Sequence, residues 1–149
     1  MEKITNNNQN KVYNSNYKQK AKYEALFITI TIITLLLSLY GKLLTFGWMT
    51  IMLIMLPIIP VHFILFTISG IQLAKVKNKT KIDYISFFIL CITILLYTYT
   101  FVDAGDIGSN KAIYSINENI LSYISFVCFF INIVLAIVSM VICSKKDKN

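Results

Sequence analysis

ILSYISFVCFFINIVLAIVSMVIC, residues 120–143, is an uninterrupted apolar run without one charged side chain. A helix rising about 1.5 Å per residue needs about 20 such residues to cross the roughly 30 Å hydrocarbon layer of a bilayer, so this run is long enough to span. A membrane β-strand would instead alternate apolar and polar residues over about 10 positions, and a lone strand in lipid leaves its backbone unpaired. Three more runs of the same kind precede it, at 23–44, 48–74 and 84–102. The chain therefore reads as an all-α membrane protein, a bundle of four transmembrane helices.

Composition agrees. Of the 149 residues, 56% are apolar and 14% charged, too few polar groups to cover the surface of a soluble domain. The first run starts only after a polar leader and has no small-residue cleavage site at its end, so it predicts a retained helix and not a signal peptide. The leader itself, with Asn6, Asn7, Asn8, Gln9 and Asn10, has little apolar surface to bury. It predicts a disordered cytoplasmic segment over 1–20. A transmembrane domain over 21–144 and a basic tail over 145–149 follow.

The lysines orient the bundle. All 14 basic residues are Lys, and 12 fall in three places: Lys3, Lys11, Lys18, Lys20 and Lys22; Lys75, Lys77, Lys79 and Lys81; Lys145, Lys146 and Lys148. Short loops rich in Lys are retained in the cytoplasm, which places both termini and the middle loop inside, and leaves Lys42 and Lys111 outside. The net charge of +7 then divides into about +8 inside, after Glu2, Glu24, Asp83 and Asp147 are set against the twelve lysines, and about −1 outside. Topology and anionic headgroups account for this charge, and no groove-reading motif or aromatic interleaving points to nucleic acid. The expected location is the cell membrane, multi-pass. Heavy use of Ile, Asn and Lys with no Arg is the composition of an A/T-rich bacterial genome.

Local signals mark the helix ends. Thr80 to Asp83 and Ser115 to Glu118 each have capping-box spacing and predict the starts of the third and fourth spans. Trp48, Tyr84, Tyr99, Tyr114 and Tyr123 lie where amphipathic rings suit the headgroup layer. Cys91, Cys128 and Cys143 all sit in apolar runs without metal-ligand spacing, and read as small core residues; Cys143, next to the basic tail, is also placed for acylation.

Lipid supplies no hydrophobic drive between helices, so their contacts should use small and weakly polar side chains. Thr31, Thr34, Ser38 and Gly41 form one such stripe; Ser86, Thr93, Tyr97 and Thr100 a second; Ser125, Asn132, Ala136, Ser139 and Cys143 a third. Gly70 and Ala74 have the spacing of a close helix approach. His62 is the one side chain inside a span that titrates near neutral pH, and Asn132 lies at similar depth. Each is costly in lipid and each can satisfy the other, so the two are expected to meet. His62 then reads either as a hydrogen-bonded structural residue or as part of a polar path. Pro57 and Pro60 remove amides from the second run and predict a kink there, a fixed bend or a hinge. The loop after the third span concentrates Asp103, Gly105, Asp106 and Gly108. It lacks the acidic spacing of a calcium loop and reads as a solvated external turn, with Asp103 and Asp106 as its candidates for a partner or cation surface.

No nucleophile–His–acid set, HExxH, phosphate-binding glycine loop or CxxC pair is present, so no catalytic residue, metal or cofactor is expected. The sequence points to a non-enzymatic membrane protein, an accessory subunit or a self-protection (immunity-type) protein. Its partners would be the lipid bilayer and, through helix contacts, another membrane protein or a second copy of the chain. The other reading is a small transporter, channel or holin-like pore that uses the polar stripes and His62.

Overall fold

The computed structural model describes residues 2–76, 79–105, 108–113 and 115–146, with the side chains at 2–20, 104, 105 and 108–110 left aside. Asp106 and Tyr114 lie outside the described residues. Five helices carry the fold: α1 Glu2–Leu44, α2 Trp48–Met55, α3 Ile58–Lys75, α4 Lys81–Thr100 and α5 Glu118–Lys146. Four of them, α1 from Ala21 onward, α3, α4 and α5, are long and apolar enough to cross a membrane.

The second apolar run differs most from its expected form. It is two helices, α2 of 8 residues and α3 of 18, with the break at Leu56 and Pro57. Pro57 has no amide to extend α2, which ends with the Leu56 amide on Met52 O. Pro60 introduces no second kink: it lies in the first turn of α3, where a backbone amide has no partner within the helix. Only α3 is a candidate span, so His62 lies four residues from its start, about 6 Å along the axis, and not at mid-helix.

At the other end of the chain's first helix, α1 begins at Glu2, although disorder is expected before Ala21. The leader contains no Pro or Gly. Once the apolar span has borne the cost of nucleation, each added residue contributes one hydrogen bond.

Caps set the remaining ends. The Asp83 carboxylate accepts from the Thr80 amide at 2.7 Å and the Thr80 hydroxyl at 2.9 Å, which starts α4 as the capping box predicts. The box expected from Ser115 does not open α5: that helix starts at Glu118, and Asn117 Oδ1 accepts the Asn119 amide at 2.9 Å. Lys79 closes α3 by donating to the carbonyls of Ala74 and Val76. Between α4 and α5 a short antiparallel hairpin, β1 Val102–Gly105 and β2 Gly108–Lys111, occupies the stretch expected to be a solvated turn.

α1 packs on α3 and α4, and α5 packs on the same two. Phe27 against Tyr84 and Phe87, with Gly41 against Thr98 and Tyr99, shows that α1 and α4 run in the same direction. The Asp83–Lys146 ion pair ties the start of α4 to the end of α5. One end of the molecule thus carries the Lys79–Lys81 connection and the end of α5; the other carries α2 and the hairpin. We call these the lysine end and the hairpin end.

Polarity is inverted relative to a soluble protein. Leu43, Phe126 and Met55 are well exposed, while Thr31, Ser38, Ser69 and Asn132 are buried. The expected stripes on α1 and α5 all face inward. At Gly70 α3 packs closely on α1: a Cβ there would stand 2.7 Å from Thr31 Oγ1. Cys91, Cys128 and Cys143 are buried and form no disulfide, and Cys143 is 2% exposed.

Candidate functional site

Three facing helices bring the site together. His62 from α3 and Asn132 from α5 meet at 2.8 Å, Nε2 to Oδ1. The Asn132 amide nitrogen donates to Leu90 O and to Thr93 Oγ1 on α4, each at 2.8 Å. With both amide hydrogens committed, Asn132 Oδ1 must be the acceptor, so His62 Nε2 carries the proton and Nδ1 presents a lone pair. Thr93 passes its own hydrogen to a carbonyl of the preceding turn, Ile89 or Leu90. One asparagine therefore bonds α3, α4 and α5 together, and every polar group it offers is used.

Aromatic rings close around this junction. The Tyr97 and Phe129 rings meet the imidazole edge-on, with centroids 5.0 and 4.8 Å away. They wall it from lipid while leaving its polar edges free for hydrogen bonds. Ser125 on α5 donates to Tyr97 O at 3.1 Å, fixing the same turn of α4 from the other side.

Above Tyr97, toward the hairpin end, lies a charged group that the sequence assigns to the external side. Lys42 is only 5% exposed, and its ammonium sits over the Phe101 ring, 3.1 Å from the centroid, and 4.5 Å from that of Tyr97. Aromatic faces attract a cation most strongly where water is excluded. Asp103 is within electrostatic reach of Lys42.

Asp103 itself is no part of a solvated turn. It is 2% exposed, and its two carboxylate oxygens accept the Met49 and Thr50 amides at 2.8 and 2.7 Å. The first amides of a helix lack partners within it and carry the positive end of its dipole, so a carboxylate there both satisfies and stabilises them. Gly47, the residue before α2, has no side chain to do this. The hairpin thus holds α2 in place through Asp103.

Beside Tyr97 and Phe101, on the side of α5, an apolar cavity of about 380 Å³ opens between α2, α4 and α5, with Met49, Leu53, Phe126 and Phe129 in its walls. Lys42, Thr50 and Tyr97 are the members of this region that sequence reasoning did not single out as a site. A lysine inside an apolar run, one helical turn after Ser38, is the signal that was there to read. Among known proteins, no family matches the chain, and no curated protein or solved structure matches it either.

Proposed function

We propose that this protein is a non-enzymatic four-helix bundle of the cell membrane, with both termini cytoplasmic and the hairpin outside. In this reading it acts as an accessory or self-protection protein through helix contacts with another membrane component. The orientation is supported by the lysine distribution. The mode of action rests on one observation, the use of every polar group of Asn132 within the protein. A mid-bundle polar residue that is fully bonded to its neighbours acts as a clamp, and the surface left for partners is the lateral apolar one. The cavity between α2, α4 and α5 is part of that surface, and its volume falls in the roughly 300–1,000 Å³ range of small-molecule pockets.

The test is co-purification after mild detergent extraction, with photo-crosslinkers at Phe126 in the cavity wall and at Ile137 on the exposed face of α5. Crosslinks to one membrane partner that disappear when Phe126 is changed to a charged residue would support the reading. Reconstituted vesicles that show specific solute or ion flux, blocked by Asn132→Leu, would replace it with the transporter or pore reading.

A further inference from the structure

Toward the hairpin end, four polar atoms are buried without a hydrogen-bond partner among the described residues: Ser38 Oγ and Lys42 Nζ on α1, Thr50 Oγ1 on α2 and His62 Nδ1 on α3. Their residues are 0%, 5%, 1% and 1% exposed. They belong to one neighbourhood. Ser38 and Lys42 are one turn apart on the buried face of α1. Lys42 and His62 both meet the Tyr97 ring, and Thr50 gives its amide to Asp103, the carboxylate nearest in charge to Lys42.

The chemistry of the set is mixed. An ammonium and two hydroxyls donate, and the imidazole lone pair accepts. Leaving such a group unpaired in the interior costs about 1–3 kcal/mol each, and a buried water that makes about three hydrogen bonds is the usual remedy. Charge also favours a neutral ligand. Around His62 the titratable groups are Lys42 from α1, Tyr97 from α4 and, through Lys42, Asp103 from β1; α5 contributes Asn132 and Phe129, and α2 has no charged residue. Lys42 and Asp103 carry opposite charges.

Access is one-sided. Toward the lysine end the Nε2 edge is closed by Asn132, and below it Phe66, Leu90 and Ile94 are each 0% exposed. Toward the hairpin end the cover is α2, eight residues bounded by the break at Leu56 and Pro57 and held at its start by one carboxylate. Short elements tied by few contacts open most readily. We propose that His62 is a proton-binding site served by ordered water beneath α2 and reached from the hairpin end only.

In the proton step, a hydronium ion from the hairpin side gives its proton to the bridging water, which passes one to His62 Nδ1. The imidazole becomes an imidazolium, and no other bond forms or breaks. Its Nε2–H bond to Asn132 is kept. The imidazolium adds a second positive charge beside Lys42, facing the single carboxylate Asp103 whose oxygens hold the start of α2, so protonation bears on that contact.

The full chain, labelled with ¹⁵N-histidine and inserted in one orientation into phosphatidylethanolamine–phosphatidylglycerol vesicles, provides the test, because His62 is the single histidine. Lowering the pH on the hairpin side from about 8 to about 3, a range that extends well below the titration of a free imidazole, should move the Nδ1 resonance toward its imidazolium position. The same change on the lysine side should leave it in place. Magnetisation transfer from water to the imidazole should be present in the wild type, and Ser38→Val with Thr50→Val, which removes two hydroxyls, should weaken it by about tenfold or more, one lost hydrogen bond alone being worth up to about tenfold. A response to the lysine side, a response to both sides, or no response in the folded wild type would overturn the proposal. So would undiminished water transfer in the double variant.

Discussion

Asn132 makes three hydrogen bonds, one with α3 and two with α4, so its removal is the most informative single change at the residue scale. Asn132→Leu keeps the volume but strands His62 Nε2, and is expected to cost about 1–3 kcal/mol in detergent unfolding. His62→Gln retains an amide donor for Asn132 and should cost less than half of that. Equal losses in both variants would mean that the junction does not act as described. The meeting of His62 and Asn132 was legible in the sequence because lipid makes both residues expensive and leaves each few partners. The burial of Lys42 was signalled only by its place in the apolar run, one turn after Ser38. A lysine near the end of an apolar run ordinarily reports topology, and the rings that receive it, Tyr97 and Phe101, come from a helix far along the chain. Asp103 was misread for the same reason, since its partners are 53 and 54 residues away.

The elements α2 and α3 show how a local signal sets a boundary while a distant one sets a position. Pro57 predicts an interruption in the second run, and the structure has it there; the separate course of α2 depends on the hairpin carboxylate. Asp103→Ala should therefore remove a cap worth about 1–2 kcal/mol, and the loss should be local. Hydrogen exchange is expected to rise over 48–56 and to stay unchanged at the start of α4, which has its own capping box. Asp103→Asn, which keeps an acceptor, should behave close to wild type. At the α1–α3 contact, Gly70→Ala places a methyl 2.7 Å from Thr31 Oγ1 and 2.8 Å from its Cγ2. The strain is expected to lower stability by about 1–3 kcal/mol, and Thr31→Ala in the same chain should recover part of it. Additive losses in the double variant would show that the two residues do not share this contact. Gly70 was legible from its small-xxx-small spacing; its partner was not, because spacing on one helix says nothing about which neighbour approaches.

For the whole molecule, the four long apolar helices are the feature read most directly from sequence, because the thickness of a bilayer fixes their length and the absence of water fixes their type. Their packing order, with α1 and α5 each against α3 and α4, rests on side-chain fit that no periodicity reveals. The polar interior and apolar exterior make sense only with lipid outside; the proposed orientation, with the lysine-rich end on the cytoplasmic side, is supported by the lysine distribution alone. The topology that joins these statements is tested most directly by thiol labelling from outside the cell. Asn6→Cys in the leader and Ser109→Cys in the hairpin would be introduced one at a time into a chain whose Cys91, Cys128 and Cys143 are replaced by Ala. A membrane-impermeant maleimide added to intact cells is expected to label the Ser109 position at once, and the Asn6 position only after the membrane is opened. Labelling of the leader in intact cells, or of both positions, would contradict the account.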